Sequence, residues 1–178
     1  MNHEVYRMLL TEDYGLEFLI VLPEKIGKRL REESEKAGVS EEELVLEALS
    51  KILNEPLDPE TRVEIHLKLS EKYMRDAEDF LLRRDYAQAS GKAWDAAAQI
   101  VKALAVKEGR ETRSHAGLWG YMDELAEKLG EIELRHLWRT ANTLHQNFYE
   151  NWMPAREVEL AVNDVKTFIE KLKIILSR

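Results

Sequence analysis

The chain has 178 residues, 44% hydrophobic and 34% charged, with a formal net charge of −8 and no cysteine. That balance supports a packed core and excludes a disordered chain, and the missing thiols exclude disulfides and thiolate metal centres. No stretch approaches the roughly 20 apolar residues of a membrane span, and Met1, Asn2, His3 and Glu4 lack the basic start of a secretory signal. A cytoplasmic protein without a membrane partner is expected. The many Glu, Lys and Arg beside few Asn and Gln suit a thermophile.

The charge is unevenly spread. Residues 1–58 hold 7 Lys plus Arg against 14 Asp plus Glu, whereas the remainder holds 19 against 20. An acidic first third repels phosphates, so any nucleic-acid contact is expected in the later part of the chain.

In chain order, the first signal is the aliphatic run Leu16, Glu17, Phe18, Leu19, Ile20, Val21, Leu22, which stops at Pro23. It predicts one lone strand, followed by a helix opened by the proline. Ile26, Leu30, Ser34 and Ala37 mark that helix, and Gly38 ends it. Ser40 and Glu43 then form a capping box for a second helix through Leu53, whose predicted buried face is Leu44, Val45, Ala48, Leu49 and Ile52. A lone strand cannot satisfy its own backbone groups, so pairing with a symmetry mate, and hence a homodimer through the N-terminal strand, is expected.

The stretch LEFLIVLPEKIGKRLREESEKAGVSEEELVLEALSKIL, residues 16–53, resembles the ribbon-helix-helix family of intertwined dimers. The resemblance implies an N-terminal dimerisation arm, taken as residues 1–54. DNA binders of that family read the major groove with polar or basic residues on the exposed strand face. Here that face would be Glu17, Leu19 and Val21, and the second helix opens with Glu41, Glu42 and Glu43, so DNA is not an expected partner.

Asn54, Glu55, Pro56, Leu57, Asp58 and Pro59 read as a linker, with prolines breaking any helix, and a second domain is taken as residues 55–178. Turn signals divide it into helices over 59–84, 85–108, 118–129, 131–153 and 154–176. The connections are short, so neighbours are predicted antiparallel and the fold class is mainly α, an antiparallel up-and-down helical bundle. Alanines at 87, 89, 93, 96, 97, 98, 103 and 105 predict close helix approach, with Tyr86 and Trp94 filling wider gaps.

FLLRRDYAQASGKAWDAAAQIVKALA, RSHAGL and ANTLHQNFYENW resemble the archaeal PaREP family of the HEPN superfamily, over residues 62–176. The resemblance implies a dimerising helical bundle. It further implies one of three roles: a module that binds a nucleotide or RNA without catalysis, a metal-independent endoribonuclease of toxin type, or a non-catalytic assembly scaffold. In the ribonuclease role, an Arg and a His four to six residues apart act together, which falls here on Arg139 and His145. His145 would move a proton near neutral pH and Arg139 would neutralise phosphorane charge.

At about 100° per residue, Trp138, Asn142, His145, Tyr149 and Trp152 share one face of their helix, while Arg139 lies about a third of a turn away. Leu134, Leu137, Ala141, Leu144 and Phe148 form the core stripe beside it. Asn142 and Tyr149 are candidate ligand contacts, in a groove shared with His145. Arg110, Arg113, Ser114 and His115 make a basic loop between Gly109 and Gly117 that suits a phosphate or simply caps a helix. Lys92, with Ser90 and Asp95, lines the same groove or merely solvates its helix. His66, His115, His136 and His145 lack metal-ligand spacing, and no phosphate-binding glycine motif is present, so neither a metal nor a cofactor is expected.

Overall fold

The computed structural model describes the backbone of residues 5–8 and 18–178 and the side chains from Ile20 on. The predicted strand's start at Leu16 and Glu17, and the directions of the Phe18 and Leu19 side chains, lie outside the described residues. The chain divides into two compact units, Met1–Asp58 and Pro59–Arg178.

In the first unit, β1 (Val5–Met8) pairs antiparallel with β2 (Phe18–Val21), with Val5 opposite Val21 and Met8 opposite Phe18. The predicted strand is therefore not alone. One of its edges is satisfied within the chain, and the need for a symmetry mate no longer follows from unpaired backbone groups.

Pro23 starts α1 (Glu24–Ala37), and Gly38, at φ 66°, ends it in the left-handed conformation that costs glycine least. The predicted capping box opens α2 (Glu41–Leu53): the Glu43 N–H donates to Ser40 Oγ (3.1 Å) and the Ser40 N–H donates to Glu43 Oε2 (2.8 Å). The face of α2 predicted to be buried is largely open. Ala48 and Leu49 are exposed, and Ile52 is 78% exposed.

The second unit is built from α3 (Pro59–Leu82), α4 (Tyr86–Lys107), α5 (His115–Leu129), α6 (Ile132–Glu150) and α7 (Ala155–Leu176). It is a helical bundle with α4 at its centre, packed on α3, α5, α6 and α7. Ala89, Ala93, Ala96, Ala97, Ala103 and Ala105 are fully buried, and their small side chains let those helices close on α4. Polar ties fix the α3 to α4 register: Ser70 Oγ donates to the Ala96 carbonyl (2.8 Å), and His66 Nδ1 meets Gln99 Oε1 (2.6 Å). No helix among the described residues is long and apolar enough to cross a membrane.

The largest departures from the sequence reading are at two helix ends. α5 begins at His115 rather than residue 118, because Ser114 caps it by accepting from the Gly117 N–H (3.1 Å). α6 ends at Glu150 rather than residue 153. Asn151 turns into the left-handed region at φ 47°, and the Met153 N–H folds back onto Asn147 Oδ1 (2.8 Å).

Candidate functional site

Three helices deliver four rings to one place. α4 supplies Trp94, the first turn of α5 supplies His115, and α6 supplies His145 with Tyr149 one turn later. Trp94 and His115 stack with centroids 5.2 Å apart and planes 3° from parallel. His145 lies 4.8 Å from Trp94 and 4.6 Å from His115, tilted by 38° and 35°. Tyr149 stands edge-on to His145 at 5.3 Å. Beneath them Trp138 lies 5.2 Å from Trp94, and its buried Nε1–H finds no acceptor among the described residues. Trp94 is buried, His145 is half-buried, and His115 and Tyr149 reach solvent, Tyr149 at 72% exposure.

The position of α6 is held by a buried contact at its C-terminal end. Asn147, fully buried, donates to Ser90 Oγ (2.9 Å), and Ser90 in turn donates to the Tyr86 carbonyl (2.8 Å). Next to this link, a Cβ built on Gly91 would stand 2.8 Å from Phe148 Cδ2, so glycine is needed for the two helices to approach. Phe148 packs edge-on against Tyr149 at 4.9 Å, which ties this contact to the ring cluster.

The sequence candidates divide accordingly. His115, His145 and Tyr149 come together. Asn142 is on the same helix face, but its Nδ2 donates to the Trp138 carbonyl one turn back (2.8 Å). Arg113 is exposed and pairs with Glu111 at 3.4 Å, and Arg110 is held by Glu124 at 2.7 Å.

Lys92 is directed elsewhere: its ammonium lies 4.7 Å from the Tyr73 ring of α3 and 3.4 Å from Asp95. Two residues along a helix are about 200° apart, so Lys92 and Trp94 leave α4 on opposite sides. Of the two readings of Lys92, these contacts favour the one in which it solvates its own helix. Ser90, grouped with Lys92 in the sequence, is buried in the link to Asn147.

Arg139 is exposed, and no contact joins its guanidinium to His145 or to any other group among the described residues. Trp94, placed by sequence only as a gap filler, is the platform of the cluster. The signal that could have marked it is the stacking partner His115, which is remote in sequence.

Burial, with His115 beside it, pushes His145 down to about 4 from 6.5. The imidazole is therefore neutral at pH 7, able to donate one hydrogen bond and accept another. A catalytic acid or base works best with a pKa near the working pH, and this ring is a weak base with no proton to spare as an acid. Among the described residues, no group of three or more His, Cys, Asp or Glu could hold a metal ion.

Residues 65–169, which carry α4, α5, α6 and the ring cluster, match the Archaeal PaREP1/PaREP8 family. The chain belongs to that family. A crystal structure of a protein from Sulfolobus solfataricus is similar at 26% identity and a TM-score of 0.53, covering 62% of this chain and 97% of that one. A search of curated proteins finds no match. In this PaREP1/PaREP8 member, the NFYE segment supplies both the buried tie, Asn147, and the exposed ring, Tyr149.

Proposed function

We propose that this PaREP1/PaREP8 protein is a HEPN-like binding module that holds a nucleotide or single-stranded RNA against Trp94, His115, His145 and Tyr149 without cleaving it. The observation that carries the reading is the ring cluster itself: one buried platform, two histidines and a solvent-facing tyrosine drawn from three helices. Base stacking on such side chains contributes about 1–3 kcal/mol per base. The first turn of α5 adds N–H groups beside His115, a favourable setting for a ligand oxygen. Binding without cleavage is supported by the low pKa of His145 and by the separation of Arg139 from it.

The N-terminal unit is read as a ribbon-helix-helix-like dimerisation arm. Its support has moved from the strand to the helices. Leu49, Ile52 and Leu53 stay exposed on α2, a face that a second copy would cover. The acidic residues of this unit disfavour DNA.

The test is titration of the full chain with AMP and with a short unstructured RNA, followed by fluorescence or calorimetry, alongside incubation of the same RNA in EDTA. Saturable binding that weakens about tenfold in His115→Ala and Tyr149→Ala, with intact RNA, is the expected result. RNA cleavage abolished by both His145→Ala and Arg139→Ala would replace this reading with an endoribonuclease. No binding by any probe would leave an assembly scaffold.

A further inference from the structure

Resting on that reading, the geometry points to a narrower ligand class: we propose that the site recognises an uncharged, unstacked nucleobase, and that phosphate contributes little to binding.

The cluster is built as a stack with one wall. Trp94 and His115 are stacked within 3° of parallel, with Trp94 buried and His115 exposed, so a further flat ring would have to meet the stack on the His115 side. Tyr149 stands perpendicular to His145 and 72% exposed, an edge-on wall that limits where such a ring can lie. Planar heteroaromatic rings satisfy both contacts, because every base has a π-face to stack. The polar groups of the cluster are those of His115, the Tyr149 hydroxyl and the His145 imidazole, which is neutral at pH 7. Such groups suit the hydrogen-bonding edge of a base.

The positive charge nearby is directed to carboxylates. Arg113 pairs with Glu111, Arg110 with Glu124, and Arg135 with Asp123. Lys92 turns to Asp95 and Tyr73 on the far side of α4. Arg139 leaves α6 about a third of a turn from the His145 face and roughly 9 Å along the axis. Among the described residues these pairings gather no ring of cations at the cluster, in a chain whose formal charge is −8. A site that depended on phosphate would gain affinity through counterion release, and this arrangement offers little of it.

The experiment compares adenosine, AMP and ATP by isothermal calorimetry on the full chain at low and moderate salt, with uridine as a smaller ring and ribose 5-phosphate as a base-free control. The expected result is adenosine and AMP within about threefold of each other. Less than about twofold weakening as salt rises is also expected, with no binding of ribose 5-phosphate. His115→Ala and Tyr149→Ala, shown folded by circular dichroism, should each weaken adenosine about tenfold.

AMP and ATP binding at least tenfold tighter than adenosine, with a steep salt dependence, overturns the base-led inference while leaving nucleotide binding in place. No binding by these probes or by single-stranded RNA overturns both. Unchanged adenosine affinity in both variants places the ligand away from the ring cluster and overturns the inference on that ground.

Discussion

Lowering the pH should unfold this protein partly through one ring. His145 sits between Trp94, His115 and Tyr149 with its pKa at about 4, against 6.5 for a free imidazole. The unfolded chain therefore takes up a proton at this position before the folded one does. Its contribution to stability is complete above pH 6.5 and is lost as pH falls towards 4. Between pH 7 and pH 5 the linkage amounts to about 1.8 kcal/mol if the whole shift is expressed, and about 1 kcal/mol after allowing for solvent around a half-buried ring.

The assay is urea unfolding at pH 7 and pH 5, for the wild type and for His145→Phe, which keeps a flat ring but cannot titrate. Groups remote from the cluster are common to both proteins, so the difference between the two pH responses reports His145 together with its coupling to His115. The wild type should lose about 1 kcal/mol more than the variant. Equal losses would refute the argument that the ring is buried as the neutral form.

Gly91→Ala places a methyl against Phe148 (2.8 Å to Cδ2), and the gain of about 1 kcal/mol in helix propensity should be outweighed by overpacking. A net loss of about 1 kcal/mol in thermal unfolding is expected, and a stabilised protein would show that Phe148 moves aside freely. Asn147→Leu removes the acceptor of the Met153 N–H and the donor to Ser90. It should cost about 2 kcal/mol in urea unfolding, since the part-buried Met153 N–H loses its acceptor and the buried Ser90 Oγ loses a donor. Ile52→Asp, at a 78% exposed position, is expected to shift sedimentation towards monomer and to lower the unfolding stability by the association free energy it removes. An unchanged mass would place self-association elsewhere.

What could be read from the sequence was mostly local. The capping box at Ser40 and Glu43 spans four residues, and its partners carry their own signal, as does Gly38 at the end of α1. The bundle helices follow from apolar periodicity, and the core stripe of α6 lies where it was placed, with Leu134, Leu137, Ala141 and Leu144 buried and Phe148 half-buried. β1 was missed because four residues containing Arg7 have no pattern of their own. Their strand character comes from pairing with Phe18–Val21.

The start of α5 was misplaced because Gly117 in its first turn reads as loop, although Ser114 caps directly onto it. Lys92 enters with Ser90 and Asp95 through the resemblance of their stretch to a family, and its contact with the Tyr73 ring depends on how α3 packs on α4. Trp94 and His115 stand 21 positions apart, and their stacking is set by how α4 and α5 cross, which periodicity does not encode.

Because α4 is enclosed on so many sides, with nearly every residue from Ala93 to Ala105 buried, it has almost no room to drift. The platform under the cluster is thus the least negotiable part of the protein, while the stretch 109–114 is exposed apart from Thr112. If the proposed binding holds, a change of ligand would fall at that stretch and at the end of α6. Divergence among relatives should therefore concentrate around one ring face while the opposite face stays fixed.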